Sequence, residues 1–277
     1  MLPTEKLSSF LAEDMPAGDI TTAAVLPAGK TVRAGIEARQ DLIAAGIEEC
    51  VWLFSHCGVT AVPEVSDGER VFAGKKMISL EGPVSAVLAV ERTALNLLGR
   101  MSGIATMTNA AQQAAAAVNN HVKVAGTRKT APGLRYFDKK AVRLGGGEPH
   151  RDSLSDAFLI KDTHRALLPV DEAVRRAKAY SVYHKVECEV ETVMDAVAAA
   201  RAGADILLFD NMEPAAIRAA IAELNRLGLR ERLVLEISGG VTPETVQRFA
   251  GLDVDVISMG ALTHSVKCAD VSLEIEG

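Results

Sequence analysis

The densest group of residues that could do chemistry lies between residues 126 and 151, in the segment GTRKTAPGLRYFDKKAVRLGGGEPHR. It holds four arginines, three lysines, one histidine and three consecutive glycines. Arginine and lysine bind carboxylate or phosphate, and glycine lets backbone N–H groups approach an anion closely. Since the whole chain has a formal net charge of −6, affinity for an anion must come from this segment. It predicts a site for a multiply anionic, phosphorylated small molecule; a solvated basic surface is the alternative.

The placement of the charges favours a binding site over a solvated surface. Arg128 and Lys129 directly follow the apolar run VKVAGT, and Lys161 follows AFLI. Charges at the ends of buried strands point into the mouth of a barrel, where barrel enzymes have their active sites. Other polar or glycine residues follow later apolar runs in the same way: Asp210, Ser238, Gly239, Gly240 and Gly260. The late glycines occupy the usual position of a barrel phosphate site.

Six apolar runs from about Val122 onward predict buried strands, with helical patterns between many of them. The runs are KVAGT, AFLIKD, YHKVECEV, ADILLFDN, RLVLEIS and DVDVISMG. Such alternation predicts a parallel sheet, either doubly wound or closed as a barrel. The polar strand ends favour an α/β barrel of the TIM type with about seven strands. In VECEV, alternation places Glu187, Glu189 and Glu191 on one face, which indicates a polar lumen.

The first hundred residues have a different pattern. Strand candidates such as TVRAGIEAR are punctuated by Gly and Pro, and an apolar helix surrounds EECVWLF. From Val84 the sequence becomes strongly helical and connects this part to the barrel. We therefore predict an N-terminal α+β sandwich domain at 1–104, joined by the C-terminal segment 267–277, and a barrel domain at 105–266.

Composition argues against several classes of protein. A negative net charge gives no electrostatic footprint for nucleic acid. No apolar run approaches the roughly 18 residues needed to span a membrane, and the N-terminal segment lacks the pattern of a secretion signal. Cys50, Cys57, Cys188 and Cys268 have neither metal-ligand nor disulfide spacing. The sequence predicts a cytoplasmic protein with no nucleic-acid or membrane partner.

Two acids and a histidine are candidates for the reacting centre. Glu189 and Asp210 could hold Mg²⁺ or stabilise positive charge that develops on a sugar ring. Asp210 could instead cap the following helix, and Glu189 could pair with a basic residue. His150, next to Arg151, could bind an anion or orient a neighbour, and a structural donor is the alternative. The residues alone leave these alternatives open.

Read in chain order, these motifs resemble the nicotinate-nucleotide pyrophosphorylase family, the quinolinate phosphoribosyltransferases. The resemblance spans almost the whole chain and several of its motifs are highly specific. The matching segments are EDMPAGDITT, ERTALNLLGRMSGIAT, GTRKTAPGLR, KKAVRLGGGEPHR, LSDAFLIKDTH, ECEVET, LLFDNM, EISGGVT and MGALTHSVKCADVSL.

The resemblance implies an enzyme with an N-terminal α/β sandwich and an open α/β barrel. Such an enzyme transfers phosphoribose from phosphoribosyl pyrophosphate to the nitrogen of quinolinate and releases CO₂ and pyrophosphate. Its product is nicotinate mononucleotide, an intermediate of NAD biosynthesis. The resemblance also implies Mg²⁺ as the cofactor and a homodimer with a shared active site, with a hexamer as the larger alternative assembly.

The resemblance further implies roles for particular residues. Those that would bind the pyridine carboxylates are Arg92 (lent by a partner subunit), Arg128, Lys129, His150, Arg151 and Lys161. The 5′-phosphate loops would contain Ser238, Gly239, Gly240 and Gly260, and Thr127 and His264 complete the substrate-binding set. The catalytic set would be Lys129, Lys161, Glu189 and Asp210. The two acids would also hold Mg²⁺, directly or through water or pyrophosphate.

Three positions depart from the family pattern. Gly126 stands where many members have Asp, Thr163 where many have Asn, and Ile237 where a small residue is common. None of these changes removes a charged contact named above. The Gly126 change does delete an acid that could orient Arg128.

Two alternatives compete with this interpretation. The molybdenum-transport-associated branch of the same fold tends to lose the lysine of the IKD motif, which is present here as Lys161. A non-catalytic sensor of a phosphate ligand, built on the barrel, would have little reason to keep Glu189 and Asp210 beside the full cationic set. The retained residues therefore favour the transferase.

Overall fold

The structure is a computed structural model that describes residues 2–27 and 29–276. Contacts between Cα atoms divide the chain into two compact units. The first comprises the residues up to Met107, residues 143–145 and the residues from Val266 onward. The second comprises Thr108–Val142 and Gly146–Ser265. The domain limits 1–104 with 267–277, and 105–266, stay a prediction about independent folding, because a compact unit need not fold alone.

The secondary structure follows the chain in two stretches. The elements of the first stretch are α1 (Thr4–Asp14), α2 (Ile20–Val25), β1 (Thr31–Ala38), β2 (Leu42–Ile43), α3 (Ile47–His56), β3 (Thr60–Pro63), β4 (Arg70–Val71), β5 (Lys76–Pro83) and α4 (Val84–Ala116). Those of the second are β6 (Lys123–Ala125), α5 (Arg135–Leu144), β7 (Phe158–Ile160), α6 (Asp162–Arg165), α7 (Val170–Tyr180), β8 (Val186–Val190), α8 (Val193–Ala202), β9 (Ile206–Asp210), α9 (Pro214–Arg226), a 3₁₀ turn (Arg230–Arg232), β10 (Val234–Ser238), α10 (Val246–Ala250), β11 (Val256–Ser258), α11 (Ala261–His264) and β12 (Val271–Ile275).

The first unit is built on a four-stranded antiparallel sheet in the order β12-β1-β5-β3. Strand β12 follows the barrel in the chain and pairs with β1, so that Leu273 lies opposite Ile36. Helix α3 buries Leu53 and Phe54 completely, as its apolar run predicts. Strand and helix candidates of the first hundred residues thus form an α+β layer.

The second unit contains six parallel strands in the order β6-β11-β10-β9-β8-β7. Ala125, the last residue of β6, also forms a single parallel bridge to Glu148. The strand order has two ends, so the α/β barrel is open. The alternating pattern predicts about seven strands, whereas the described residues form six parallel strands and this single bridge. No helix in the described part of the chain is both long and apolar enough to cross a membrane.

Helices α8 and α9 show how local sequence connects the strands. Thr192 caps the start of α8 by accepting the N–H of Asp195, and Gly203 ends the helix in a left-handed conformation with φ 100°. Helix α9 begins at Pro214, where a missing N–H costs nothing. Its buried Ile217, Ile221 and Leu224 recur at helical spacing and face the core.

Two aspartates join neighbouring strands at their amino ends. Asp205 Oδ2 accepts the N–H of Val186 at 2.7 Å and lies 3.0 Å from Lys178 Nζ. Asp255 Oδ2 accepts the N–H of Leu235 at 2.8 Å and lies 3.3 Å from an Arg230 nitrogen. Each carboxylate satisfies a backbone donor and a cation together, so this end of the sheet is fixed by its own side chains.

Candidate active site

Two acids of β8 share the face that the alternation in VECEV predicts. Glu187 is 1% exposed and contacts His150, while Glu189 is 7% exposed and contacts Lys161. Cys188, between them, is fully buried on the opposite face, and burial raises its pKa to about 12. The acids therefore occupy a polar interior, and this thiol is unsuited to act as a nucleophile at neutral pH.

The Lys161–Glu189 pair joins the ends of two neighbouring strands. Lys161 Nζ lies 2.9 Å from Glu189 Oε1, and the N–H of Asp162 donates to Oε2 at 3.2 Å. Arg165 donates to the backbone carbonyl of Glu189 at 3.3 Å. The lysine follows β7 and the acid belongs to β8, so the pairing of these strands brings them together. Because the Lys161 side chain is 46% exposed, its ammonium can also reach a ligand.

His150 lies between two buried acids from different strands. Its Nε2 is 3.3 Å from Glu236 Oε1 and 3.6 Å from Glu187 Oε1, and its Nδ1 accepts the N–H of Arg151 at 2.8 Å. Burial lowers the pKa of His150, but the attraction of the two carboxylates outweighs burial and raises the pKa to about 10. The N–H of Arg151 at Nδ1 opposes a second proton there. The ring therefore keeps its first proton at Nε2.

Arg128 and Arg151 lie close enough for their charges to interact. Burial and the positive charge of Arg128 lower the pKa of Arg151, although the guanidinium remains charged. Arg128 Nε is buried and has no hydrogen-bond partner among the described residues. Two repelling cations with a free buried donor are a suitable arrangement for an anionic ligand, which would relieve the repulsion and accept the bond.

Lys129, Gly260 and His264 meet at the carboxyl ends of β6 and β11. A Cβ atom on Gly260 would lie 3.0 Å from both Lys129 Cδ and His264 Cδ2, so a larger residue would push these side chains apart. Thr263 Oγ1 donates to the Lys129 carbonyl at 2.9 Å and fixes the loop. Lys129 is about 130 residues away from Gly260 and His264 in the chain, and the parallel pairing of β6 with β11 brings them together.

Asp210 and Ser238 are register partners at the carboxyl ends of β9 and β10. Asn211 follows with a left-handed φ of 52° and donates its side-chain amide to Asp210 Oδ2 at 3.0 Å. Gly239 has φ 94°, and a Cβ atom there would lie 2.2 Å from Asn211 Oδ1. Only glycine allows this close approach of the two loops. The turn leaves backbone around Gly240 open, as a phosphate loop requires.

Two predicted site residues remain, one in the first unit and one in the loop after β6. Arg92 belongs to the first unit, on α4, where its side chain is 64% exposed and 3.9 Å from Glu91. Thr127 Oγ1 accepts the N–H of Lys129 at 3.1 Å and so shapes the loop after β6. The predicted contact of Arg92 with substrate stays a prediction.

One group in the second unit has the composition of a metal site. Ligand atoms of His150, Glu187 and Glu236 lie within 4.8 Å of one another. Neither Glu189 nor Asp210, the acids predicted to hold Mg²⁺, belongs to this group. Both oxygens of Glu189 already accept from Lys161 and the N–H of Asp162.

Three residues of this region were missing from the predicted site: Lys139, Glu187 and Glu236. Glu236 is a single acid inside the apolar run LVLEIS, and a buried charge in a strand is a signal that could have identified it. Glu187 was predicted to face the lumen without a role. Lys139 lies in the polar segment FDKK and carries no such signal, yet it is 1% exposed.

An open α/β barrel with cations, buried acids and glycine loops at the carboxyl ends of its strands defines the class of barrel enzymes that act on anionic, phosphorylated substrates. Family models place the chain within that class. Residues 19–102 match the N-terminal domain of quinolinate phosphoribosyl transferase and residues 104–274 match its C-terminal domain. The chain belongs to the quinolinate phosphoribosyltransferase family.

Individual relatives agree with the family models. The chain is 44% identical to a probable nicotinate-nucleotide pyrophosphorylase (carboxylating) of Methanothermobacter thermautotrophicus, with 98% of both chains covered. It is 34% identical to the human nicotinate-nucleotide pyrophosphorylase (carboxylating), covering 97% of this chain and 90% of the human protein. The crystal structure of nicotinate-nucleotide pyrophosphorylase from Ehrlichia chaffeensis superposes with a TM-score of 0.93 at 32% identity, covering 100% of this chain and 99% of that one.

Proposed function

We propose that this chain transfers phosphoribose from phosphoribosyl pyrophosphate to quinolinate, and that loss of CO₂ then gives nicotinate mononucleotide for de novo NAD biosynthesis. The observation that carries the proposal is a series of charge interactions that connects Lys161, Glu189, Arg151 and Arg128. Glu189 forms an ion pair with Lys161. The negative charge of Glu189 raises the pKa of Arg151, and the positive charge of Arg128 lowers it. A planar ring with two adjacent carboxylates needs several cations held in this way.

The cations would orient the ring for nucleophilic attack. Arg128 and Arg151 can each grip a carboxylate with two parallel N–H groups, which fixes the plane of the pyridine. The ring nitrogen then attacks C1′ of the ribose, the N–C1′ bond forms, and the electron pair of the C1′–O bond leaves with pyrophosphate. Glu189 would stabilise the positive charge that develops on the sugar.

Decarboxylation would follow from the charge on the quaternised nitrogen. When the bond between C2 and its carboxylate breaks, CO₂ leaves and the electron pair stays at C2, where the adjacent cationic nitrogen stabilises it. A proton must then be delivered to C2. Lys129 and Lys161 are the ammonium groups that we assign to this region, and either can supply that proton.

The phosphate end of the donor would bind the glycine loops. Ser238 is the last residue of β10, Gly239 and Gly240 follow it, and Gly260 begins the turn into α11. Backbone N–H groups in such turns suit a phosphate dianion. His264, against Gly260, would complete this pocket.

The carboxylates of Asp210 and Glu189 are of the type that binds Mg²⁺, but the two are not equally available to the ion. Hard cations prefer carboxylate oxygens, and Asp210 and Glu189 lie at the carboxyl ends of adjacent strands. Because Glu189 is committed to Lys161, we propose Asp210 as the main protein ligand, with Glu189 acting through water or pyrophosphate. The ion would neutralise charge on the pyrophosphate leaving group.

The assembly and location remain proposals of the same kind. We propose a homodimer in which Arg92 of each subunit completes the other subunit's site, with a hexamer as the larger alternative. The scattered cysteines support a reducing, cytoplasmic location. The alternatives of a molybdenum-transport-associated protein or a phosphate-ligand sensor find no support in the relatives described above.

The direct test is an assay with quinolinate, phosphoribosyl pyrophosphate and Mg²⁺, followed by detection of nicotinate mononucleotide. We expect product and one equivalent each of CO₂ and pyrophosphate. Nicotinic acid, which has one carboxylate, is the matched control and should be used far less well. Absence of product from quinolinate would refute the proposal, and equal use of both acids would refute the role of paired carboxylates.

A further inference from the structure

His150 has a backbone conformation that needs support from its surroundings. Its φ of 59° lies in the left-handed region, which residues with a side chain adopt rarely. Lys139, buried in α5, supplies part of that support. Its Nζ donates to the carbonyl of Pro149 and, at 2.8 Å, to the carbonyl of Arg151. One ammonium therefore holds the residues on both sides of His150.

The His150 ring is held from the opposite side by the two interior acids. Its Nε2 faces Glu236 and Glu187, at 3.3 and 3.6 Å. Its Nδ1 accepts the N–H of Arg151 at 2.8 Å. Both ring nitrogens are thus directed at protein groups, and the side chain is only 14% exposed. In this arrangement Nδ1 accepts from the backbone and Nε2 faces the two acids.

We propose that Lys139, Glu187 and Glu236 are positioning residues that hold His150 in its left-handed conformation and thereby aim Arg151 at a carboxylate of the substrate. This inference rests on the proposed function, because it concerns the same pocket. His150 becomes a positioning residue as well, and Arg151 the group that contacts the ligand. The free energy of the strained backbone is offset by three elements, α5, β8 and β10, that fix it from separate directions.

The buried oxygens of the two acids fit this role. Glu187 Oε1 and Glu236 Oε1 have no hydrogen bond of good geometry among the described residues, so their contacts with His150 are mainly electrostatic. Negative charge here also balances Arg151, whose guanidinium interacts with that of Arg128. Replacing a carboxylate by an amide keeps the shape but removes that charge. It therefore separates positioning by charge from simple packing.

The first experiment uses Glu236→Gln, with Glu213→Gln as the matched control on the exposed start of α9. Equilibrium dissociation constants of quinolinate and phosphoribosyl pyrophosphate are measured by calorimetry, with the melting temperature of each variant. We expect quinolinate to bind about tenfold more weakly to Glu236→Gln, as when outer partners of a metal ligand are removed. Binding of phosphoribosyl pyrophosphate should stay unchanged. Equal weakening of both ligands would overturn the proposal.

The second experiment asks whether His150 acts through its conformation. Asparagine tolerates the left-handed region and offers an oxygen to the Arg151 N–H, whereas alanine does neither. We expect His150→Asn to retain most of the quinolinate affinity that His150→Ala loses. Equal losses in the two variants would show that the ring itself contacts the substrate. This comparison decides the matter even if Glu236→Gln fails to fold.

Two controls distinguish this inference from the proposed function and from a metal site at the same residues. If the wild-type protein neither binds nor converts quinolinate, the proposed function fails and this inference fails with it. If the wild type does both and Glu236→Gln binds quinolinate normally, only the inference fails. Since His150, Glu187 and Glu236 also have the composition of a metal site, quinolinate binding is repeated after treatment with EDTA. Unchanged affinity supports positioning by the side chains. Affinity that EDTA removes from the wild type and from Asp210→Asn alike would assign the His150 group to a metal.

Discussion

The two ends of the parallel sheet use the same residue types in opposite ways. At the amino ends, Asp205 and Asp255 each accept a backbone N–H and pair with a cation. Among the buried side-chain nitrogen and oxygen atoms of the described residues at this end, only Arg230 Nε lacks a hydrogen bond, and it lies 3.5 Å from Asp253. Toward the carboxyl ends, Arg128 Nε is buried and has no hydrogen-bond partner in the described part of the chain.

This difference indicates which charged residues stabilise the fold and which bind a ligand. A buried group whose bonds are complete stabilises the native state, while one left without a partner costs free energy until something binds it. Charged residues at the amino ends should therefore affect stability when changed. Those toward the carboxyl ends should affect binding. Each of the following predictions can break or sharpen this distinction.

The largest effect is expected for Arg151→Ala. Removing this guanidinium would leave a substrate carboxylate without its partner, at a cost of about 2–5 kcal/mol, or roughly thirtyfold to several thousandfold in affinity. The melting temperature should hardly change. Calorimetric titration with quinolinate measures the effect, with Arg201→Ala on α8 as a control. Normal quinolinate affinity in Arg151→Ala would remove the arginine from the site.

The reverse pattern is expected for Asp255→Ala. The change leaves the N–H of Leu235 without its acceptor and removes the less exposed of the two carboxylates that pair with Arg230. It should lower the free energy of unfolding by about 1–3 kcal/mol. Urea denaturation measures the loss. Asp253→Ala, at a side chain that is 70% exposed, is the matched control and should stay within about 0.5 kcal/mol. A large change in quinolinate affinity with intact stability would contradict the distinction.

A smaller and more selective effect is expected for Gly239→Ala. The new Cβ would collide with Asn211 and force the loop after β10 to move. We expect KM for phosphoribosyl pyrophosphate to rise about tenfold while quinolinate affinity stays within about twofold, because substitution at this φ is strained. Gly228→Ala has a similar positive φ in open space and controls for backbone strain alone. A shared effect on KM in both variants would argue against a phosphate loop.

The smallest effect concerns pH, because the N–H of Arg151 at Nδ1 opposes the second proton that the two acids attract to His150. The folded-state pKa of His150 is raised from 6.5 to about 10, so its stabilising contribution is fully present below pH 6.5 and is lost as pH rises through about 10. The difference in unfolding free energy between wild type and His150→Asn should therefore shrink between pH 6 and pH 10.5. Urea denaturation at the two pH values measures it. A constant difference would mean that the bond from Arg151 to Nδ1 keeps the ring neutral throughout.

Much of the architecture could be predicted from the sequence because it depends on local patterns. The alternation of apolar runs and helical segments gives the parallel barrel, and the alternation in VECEV gives the buried face of Glu187 and Glu189. Lys161 and Arg128 were located from their positions after apolar runs. These features need only nearest neighbours in the chain, so the sequence displays them directly.

The rest could not be predicted because it depends on contacts between distant segments. Lys139 is part of a polar helix segment, and only the fold shows that its ammonium reaches the carbonyls around His150. The left-handed conformation of His150 has no glycine to signal it. The partner of Glu236 likewise depends on the fold, because His150 lies more than eighty residues earlier in the chain.

Strand β12 sets an order of events during synthesis of the protein. It pairs with β1, from which it is separated by the whole barrel in the chain. The ribosome must therefore complete the barrel residues before the antiparallel sheet can gain its fourth strand. Until then the edge of β1 has unpaired backbone groups, which in other proteins recruit foreign strands. The unit that is begun first is thus the last to close, and a nascent chain stalled before Val271 would expose that edge.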